Sequence, residues 1–232
     1  MEFPRILVVK TGSAHPAVVQ AMGDYDDWFA RGFTGGLDRC DVVSAWKGQT
    51  LPMPHGYGGM LITGSSLSVR EEAPWMAGLA RWALAAADVG IPVLGVCFGH
   101  QLLGEALGGR VERNPRGGEY GTISVNLTDE GRRDPLFEGL GDTLEGQATH
   151  EDALVRPPTA YVAVRLAGNA NTAVQAFGAG PYLRAVQFHP EMSAEILALK
   201  LEVSGVQAET WPSPHGLRVL RNWDRHWVRR EG

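Results

Sequence analysis

Cys97 stands at the centre of Gly95-Val96-Cys97-Phe98-Gly99, with an apolar run before it and helix-forming residues after it. A G-x-nucleophile-x-G spacing suits a sharp strand-to-helix turn, where the backbone folds close on itself and flanking side chains would collide. Such a turn lifts the nucleophile to the carboxyl end of the sheet, where open α/β sheets place their sites. It also sets the sulfur at a helix N-terminus, whose partial positive charge favours thiolate over thiol. The Phe98 N–H would face the same space and could donate to an oxyanion. A cysteine chosen at random is more often an inert core residue; the paired glycines and the strand–helix position favour the nucleophile here. Cys40, in Asp38-Arg-Cys-Asp41, has no such setting and reads as structural.

A thiolate needs a base to carry its proton and a third group to orient that base. Of seven histidines, His189 ends the apolar run Ala185-Val-Gln-Phe-His189 and is followed by Pro190. A residue before proline is pushed to an extended conformation, in which side chains two apart share a side. His189 and Glu191 thereby form a base–orienter pair at a strand end. Alone, His-Pro-Glu is weak evidence and reads more readily as a loop; beside the elbow it completes a nucleophile–base–acid set. His100 lies too near the elbow in sequence to approach Cys97 from across a site. His15, His55, His215 and His226 fall in loop-like or surface-helix contexts.

The elements that must carry these groups follow from apolar runs and the glycines and prolines between them. Arg5–Lys10, Asp41–Trp46, Gly59–Thr63 and Ile91–Val96 read as short buried strands. Helices are expected over Pro16–Phe33, over Pro74–Val89 with Pro74 in its first turn, and over Phe98–Leu107, ended by Gly108-Gly109. Strands dominate after that pair: Tyr120–Leu127, Ala160–Leu166, Thr172–Phe177 and Leu183–Phe188. The last stretch returns to helix, with Arg218–Val228 amphipathic. Alternation followed by a strand-rich half gives one three-layer α/β domain over residues 1–232, with a mixed sheet and an extra C-terminal helical segment from about residue 205.

The chain has 232 residues, 44% of them hydrophobic and 20% charged, enough for one globular core. A net charge of -5 with scattered Lys and Arg argues against a nucleic-acid partner. The pairs Arg132-Arg133 and Arg229-Arg230 read as solvated surface. Two cysteines make no disulfide framework and fit a reducing cytoplasm. The opening Met1-Glu-Phe-Pro-Arg5 lacks the features of a signal peptide, and no apolar window is long enough to span a membrane, so no membrane partner is expected. Two cysteines and dispersed histidines suggest no metal, no cofactor is expected, and the lack of a Gly-Lys-Ser/Thr phosphate loop argues against a synthetase domain in this chain.

Three separated motifs resemble one family, the class I (triad) glutamine amidotransferases. They are Ile62-Thr-Gly64-Ser65, Val93-Leu-Gly-Val-Cys97-Phe-Gly-His-Gln101 and Val186-Gln-Phe-His189-Pro-Glu191. Gly23-Asp-Tyr-Asp-Asp-Trp-Phe29, Pro74-Trp75, Gly118-Glu-Tyr-Gly121 and Thr149-His150-Glu-Asp152 look like the family's stand-alone branch, which is similar to the amidotransferase domain of GMP synthase. The likeness runs over roughly residues 5 to 200. It implies a flavodoxin-like fold, with a mixed, mostly parallel sheet and helices on both faces. It also implies hydrolysis of the glutamine side-chain amide through a γ-glutamyl thioester on Cys97, with His189 as base and Glu191 as its orienter. Backbone N–H groups of Phe98 and the Gly64 segment would hold the oxyanion. Ser65, Gln101 and the His150 segment would line the glutamine pocket, the last through its backbone.

The sequence departs from the family where a glycine pair is followed by Pro or Ser; here it reads Thr63-Gly64-Ser65-Ser66, which puts the position of that donor in question. Glu209–Gly216 extends past the usual core without an assigned role, and Trp211, Trp223 and Trp227 read as packing residues. The ammonia implies a separate synthetase or other acceptor subunit. The same acyl-enzyme would also serve a γ-glutamyl peptide hydrolase, and a non-catalytic regulatory subunit would keep the fold alone. A thiol esterase of α/β-hydrolase type fits less well, because there the acid precedes the histidine in the chain.

Overall fold

Ile6 and Val8 of β1 (Ile6–Lys10) pack on one side of a sheet and Leu7 and Val9 on the other, and all four are buried. A strand covered on both faces has no solvent side for polar residues, which accounts for its unbroken apolar run. The computed structural model describes residues 3–160 and 163–229. After β1 come α1 (Pro16–Met22), α2 (Tyr25–Ala30), β2 (Cys40–Ser44), β3 (Gly59–Ile62), α3 (Pro74–Asp88), β4 (Val93–Val96) and α4 (Phe98–Ala106). The second half adds β5 (Arg110–Arg113), β6 (Glu119–Leu127), α5 (Asp129–Arg133), β7 (Thr143–His150), β8 (Asp152–Arg156), β9 (Ala163–Gly168), β10 (Ala176–Ala179) and β11 (Leu183–Val186). Two helices close the chain, α6 (Ala194–Val203) and α7 (His215–Trp223), the latter running into a π-helical turn at Asp224–Val228.

Nine strands form the main sheet in the order β2-β1-β3-β4-β11-β10-β9-β6-β7, with β5 and β8 as a separate antiparallel ribbon. From β2 to β11 the neighbours are parallel, and from β11 to β7 they are antiparallel. Val18, Trp28, Phe29, Leu197 and Trp223 cover one face from α1, α2, α6 and α7. Met76, Leu79, Leu102 and Leu103 cover the other from α3 and α4. The result is the expected three-layer, flavodoxin-like α/β arrangement with a mixed sheet. Truncating a fully buried side chain in either layer, such as Leu79→Ala, removes about 2–5 kcal/mol.

Several sequence expectations need correction. The helix expected over Pro16–Phe33 is two helices, broken where Gly23 takes φ 84° and Asp24 caps α2 in a capping box with Asp27. A Cβ at Gly23 would lie 2.7 Å from Asp27 Oδ2, so the break depends on glycine. The expected Thr172–Phe177 strand is Ala176–Ala179, because Asn169 Oδ1 accepts from the Thr172 and Asn171 N–H groups in a turn. Within the expected Ala160–Leu166 strand, residues 161–162 lie outside the described residues. Residues 206–214 carry no helix; with Pro212 and Pro214 in this stretch, the C-terminal helix starts only at His215. Arg229 is half-buried and ion-paired with Asp224 at 3.4 Å rather than solvated, and Arg230 lies outside the described residues. Trp223 and Trp227 are core residues, but Trp211 is 39% exposed.

The Glu209–Gly216 segment acquires a structural role. The Glu209 carbonyl accepts from Thr122 N–H at 3.0 Å, and the Trp211 carbonyl accepts from Gln147 Nε2 at 3.1 Å. Ser213 Oγ donates to the Glu145 carbonyl, so the segment straps β6 to β7. Gly121, at φ 95°, lets the strap approach: a Cβ there would meet the Glu209 carbonyl oxygen.

Candidate active site

β4 ends at Val96 and α4 begins at Phe98, so Cys97 is the whole of the turn between them. Its backbone is left-handed, φ 51° and ψ −98°, a conformation that costs a non-glycine residue about 1–3 kcal/mol. Its N–H donates to the Val186 carbonyl at 2.9 Å, and its carbonyl accepts from Gln101 N–H at 3.0 Å. The flanking glycines are required sterically. A Cβ at Gly95 would meet Gly99 backbone atoms at 2.8 Å, and one at Gly99 would meet the Ile62 carbonyl oxygen at 2.6 Å. The strained elbow read from the sequence is thus present, and it sets Cys97 at the N-terminus of a nine-residue helix.

His189 follows β11, the strand paired parallel to β4, with Val186 beside Val96. Its backbone N–H donates to the Gln147 carbonyl at 2.8 Å, which fixes the end of the run. Its Nδ1 lies 2.6 Å from Glu191 Oε1, and both side chains are buried. A carboxylate can only accept, so Nδ1 carries the proton and Nε2 is left for the sulfur. Gly64, just after β3, packs against the pair: a Cβ there would lie 2.7 Å from His189 Cε1 and 3.5 Å from Cys97 Cβ. Tyr25 of α2 stacks on the imidazole at 6.5 Å and 20°.

Burial alone would lower the pKa of the His189 imidazolium. The Glu191 carboxylate and the neighbouring Cys97 sulfur outweigh it, by charge and by hydrogen bonding, and raise it above the ordinary histidine value. Tyr25 is pushed well above the usual phenol value by burial and by the neighbouring Cys97 and Glu191 charges, and stays neutral. Cys40 is a plain contrast, a half-buried thiol raised to about 11 chiefly by burial.

A cavity of about 370 Å³ opens over Cys97. Ser65, Gln101 and His150 all line it, but their polar atoms serve the protein itself. Ser65 Oγ donates to the Thr11 carbonyl at 2.8 Å and accepts from Leu67 N–H. Gln101 Nε2 donates to the Asp152 carbonyl at 2.8 Å and to Gln187 Oε1 at 3.1 Å. His150 Nδ1 meets the same Asp152 carbonyl at 2.9 Å, and its Nε2 lies 3.2 Å from Glu119 Oε2. Gln101 and His150 thus fix the cavity's backbone rim from behind. The sequence reading missed Tyr25, Glu119, Arg70 and Lys200; of these, Tyr25 and Glu119 stood inside quoted motifs. Among the described residues no cluster of three or more His, Cys, Asp or Glu side chains could hold a metal ion.

Residues 43–202, more than half of the chain, match the family model for "Glutamine amidotransferase class-I". The chain belongs to the class I glutamine amidotransferase family. Among curated relatives, the glutamine-hydrolysing GMP synthase of Symbiobacterium thermophilum is 36% identical over 75% of the chain and 32% of its own length. The corresponding enzyme of Thermus thermophilus is 41% identical over 56% of the chain and 26% of its own length. A glutamine-hydrolysing GMP synthase subunit of Saccharolobus solfataricus is 36% identical over 57% of the chain and 66% of its own length. The chain therefore spans between a quarter and two thirds of the length of these relatives. A glutamine amidotransferase structure from Methylobacillus flagellatus superposes with a TM-score of 0.77 at 20% identity, covering 100% of this chain and 98% of that one. One from Thermotoga maritima gives 0.67 at 22% identity, over 88% and 84%. Both establish the fold. No helix among the described residues is long and apolar enough to cross a membrane.

Proposed function

We propose that this amidotransferase hydrolyses the side-chain amide of glutamine through a γ-glutamyl thioester on Cys97, and that the ammonia passes to an acceptor enzyme on a separate chain. The observation that carries the reading is the left-handed Cys97 lining a cavity, with a buried histidine behind it that Glu191 holds at 2.6 Å. The Cys97 sulfur attacks the amide carbon, forming the C–S bond and moving the carbonyl electron pair onto oxygen. His189 Nε2 gives its proton to the nitrogen as the C–N bond breaks and ammonia leaves. His189 then takes a proton from water, whose oxygen attacks the thioester carbon, and the C–S bond breaks to release glutamate. Glu191 keeps the imidazole in the productive tautomer throughout.

The Phe98 N–H, in the first turn of α4, is suited to hold the oxyanion. The Gly64 carbonyl accepts from Thr11 Oγ1 at 3.0 Å and Thr63 Oγ1 at 2.9 Å. Across that trans peptide the Ser65 N–H is turned away from both hydroxyls, which supplies a second donor from the Gly64 segment without the family's glycine pair. A separate acceptor chain is supported by relatives whose names describe them as one subunit of a GMP synthase.

Incubation with glutamine, and separately with a γ-glutamyl peptide, tests the reading. We expect glutamate and ammonia from glutamine, and a loss of at least about 10⁴-fold in Cys97→Ala. Hydrolysis of the peptide without release of ammonia from glutamine would move the activity to γ-glutamyl peptides. Full activity in Cys97→Ala would end the thioester mechanism altogether.

A further inference from the structure

The charged side chains around the Cys97 cavity are paired within the protein, with one exception. Asp152 is held by Arg70 at 3.1 Å and by Ser68 Oγ. Glu151 pairs with Arg113 at 3.0 Å and accepts from Tyr120 Oη. His150 faces Glu119. Lys200 also lines the cavity, on the face of α6 that brings Leu201 and Ser204 to the same wall, and no carboxylate among the described residues lies within ion-pair reach of it. Burial lowers its pKa, and only partly do the Cys97 and Glu191 charges oppose this, so the ammonium is short of a counter-charge.

An unpaired cation half out of water is costly unless an anion arrives to meet it. The Cys97 sulfur already faces His189, itself 2.6 Å from the carboxylate that anchors it. What remains to supply charge is the ligand. A γ-glutamyl group attached to Cys97 has its α-carboxylate a few bonds from the reacting carbon, and a cavity of about 370 Å³ has room for a molecule of that size.

We infer that Lys200 is a specificity-determining residue that binds the free α-carboxylate of the acyl donor. The inference rests on Cys97 being the acyl acceptor, and it narrows the substrate class. Free glutamine and small γ-glutamyl conjugates carry that carboxylate, whereas a glutamine inside a polypeptide has it locked in a peptide bond and leaves Lys200 unmet. Because the contact exists equally in the ground and transition states, its loss falls on KM rather than on kcat.

The test compares Lys200→Met and Lys200→Arg with the wild type in two measurements. With glutamine, Lys200→Met is expected to raise KM about 10- to 100-fold at nearly constant kcat, and Lys200→Arg to restore most of that loss. In the second, Cys97 is alkylated by the chloroketone analogue of L-glutamine and by its α-carboxamide counterpart, with labelling read by mass spectrometry. The wild type is expected to favour the carboxylate form at least about 10-fold, and Lys200→Met to lose the preference. Equal slowing of both reagents in Lys200→Met would make the lysine a support for the thiolate and overturn the inference, as would a wild type with no preference. The labelling needs no turnover. A wild type that prefers the carboxylate reagent yet hydrolyses no glutamine would sink the proposed function and leave the carboxylate contact standing.

Discussion

His100 and His189 are both buried, yet their surroundings drive them to opposite charge states. His100, on α4, packs its ring 5.1 Å from that of Phe177, and burial, assisted by the neighbouring His150 charge, lowers its pKa from 6.5 to about 3. His189 is as deeply buried, but a carboxylate at 2.6 Å and the Cys97 sulfur reverse the direction. Burial by itself discharges an imidazole; a built pair of anions makes one hold its proton. The site is therefore distinguished less by its depth than by the residues that meet the ring from both sides.

The sharpest way to break this contrast is to delete each ring. His189→Ala is expected to lower glutamine hydrolysis about 10³- to 10⁴-fold, whereas His100→Leu should stay within about 3-fold, measured as kcat/KM. Comparable losses would mean that the two rings do not differ in role.

Glu191→Gln should cost less, on the order of 10- to 100-fold, because the amide can still hold the ring while its charge is gone. It should also move the alkaline limb of the pH–rate profile downward. A raised folded-state pKa means that the proton on His189, and the stability it brings, are fully present below about 6.5 and are lost only as pH rises through the raised value. Removing the carboxylate narrows that window, and an unmoved limb would show that Glu191 is not what sustains the charge.

The smallest effect concerns His100. Its folded pKa of about 3 against an ordinary 6.5 means that the unfolded chain binds a proton which the native chain refuses. Stability is therefore lost as pH falls from 6.5 towards 3, and His100→Leu should flatten this acid loss in thermal unfolding curves. An unchanged acid slope would place the titration elsewhere.

The nucleophile's setting was legible because it is local. Gly95 and Gly99 announce a turn too tight for side chains, and the alternation His189-Pro190-Glu191 fixes two side chains by backbone geometry alone. What escaped the sequence is what depends on distant partners. Gly23 looks like a tolerable glycine in a helix until Asp27 closes a cap over it. β7 and β8 have no counterpart among the strands expected from sequence; β7 is fixed by pairing along nearly all of β6 and β8 by a short ribbon with β5. The family resemblance implies that Gln101 lines the pocket, and the Asp152 carbonyl that takes its amide is far away in the chain. Lys200 is one cation among many in sequence, and only the packing of α6 brings it to the Cys97 cavity.

β11 is the last strand among the described residues and lies in the interior of the sheet, between β4 and β10. During synthesis Cys97 emerges long before this strand, and the two halves of the sheet cannot join until it arrives. The same short segment that closes the sheet also delivers His189 beside the sulfur, through the pairing of Val186 with Val96. A chain cut short before β11 thus has neither a continuous sheet nor an imidazole beside its thiol, and the pocket's chemistry is assembled only by the strand that joins the sheet's two halves.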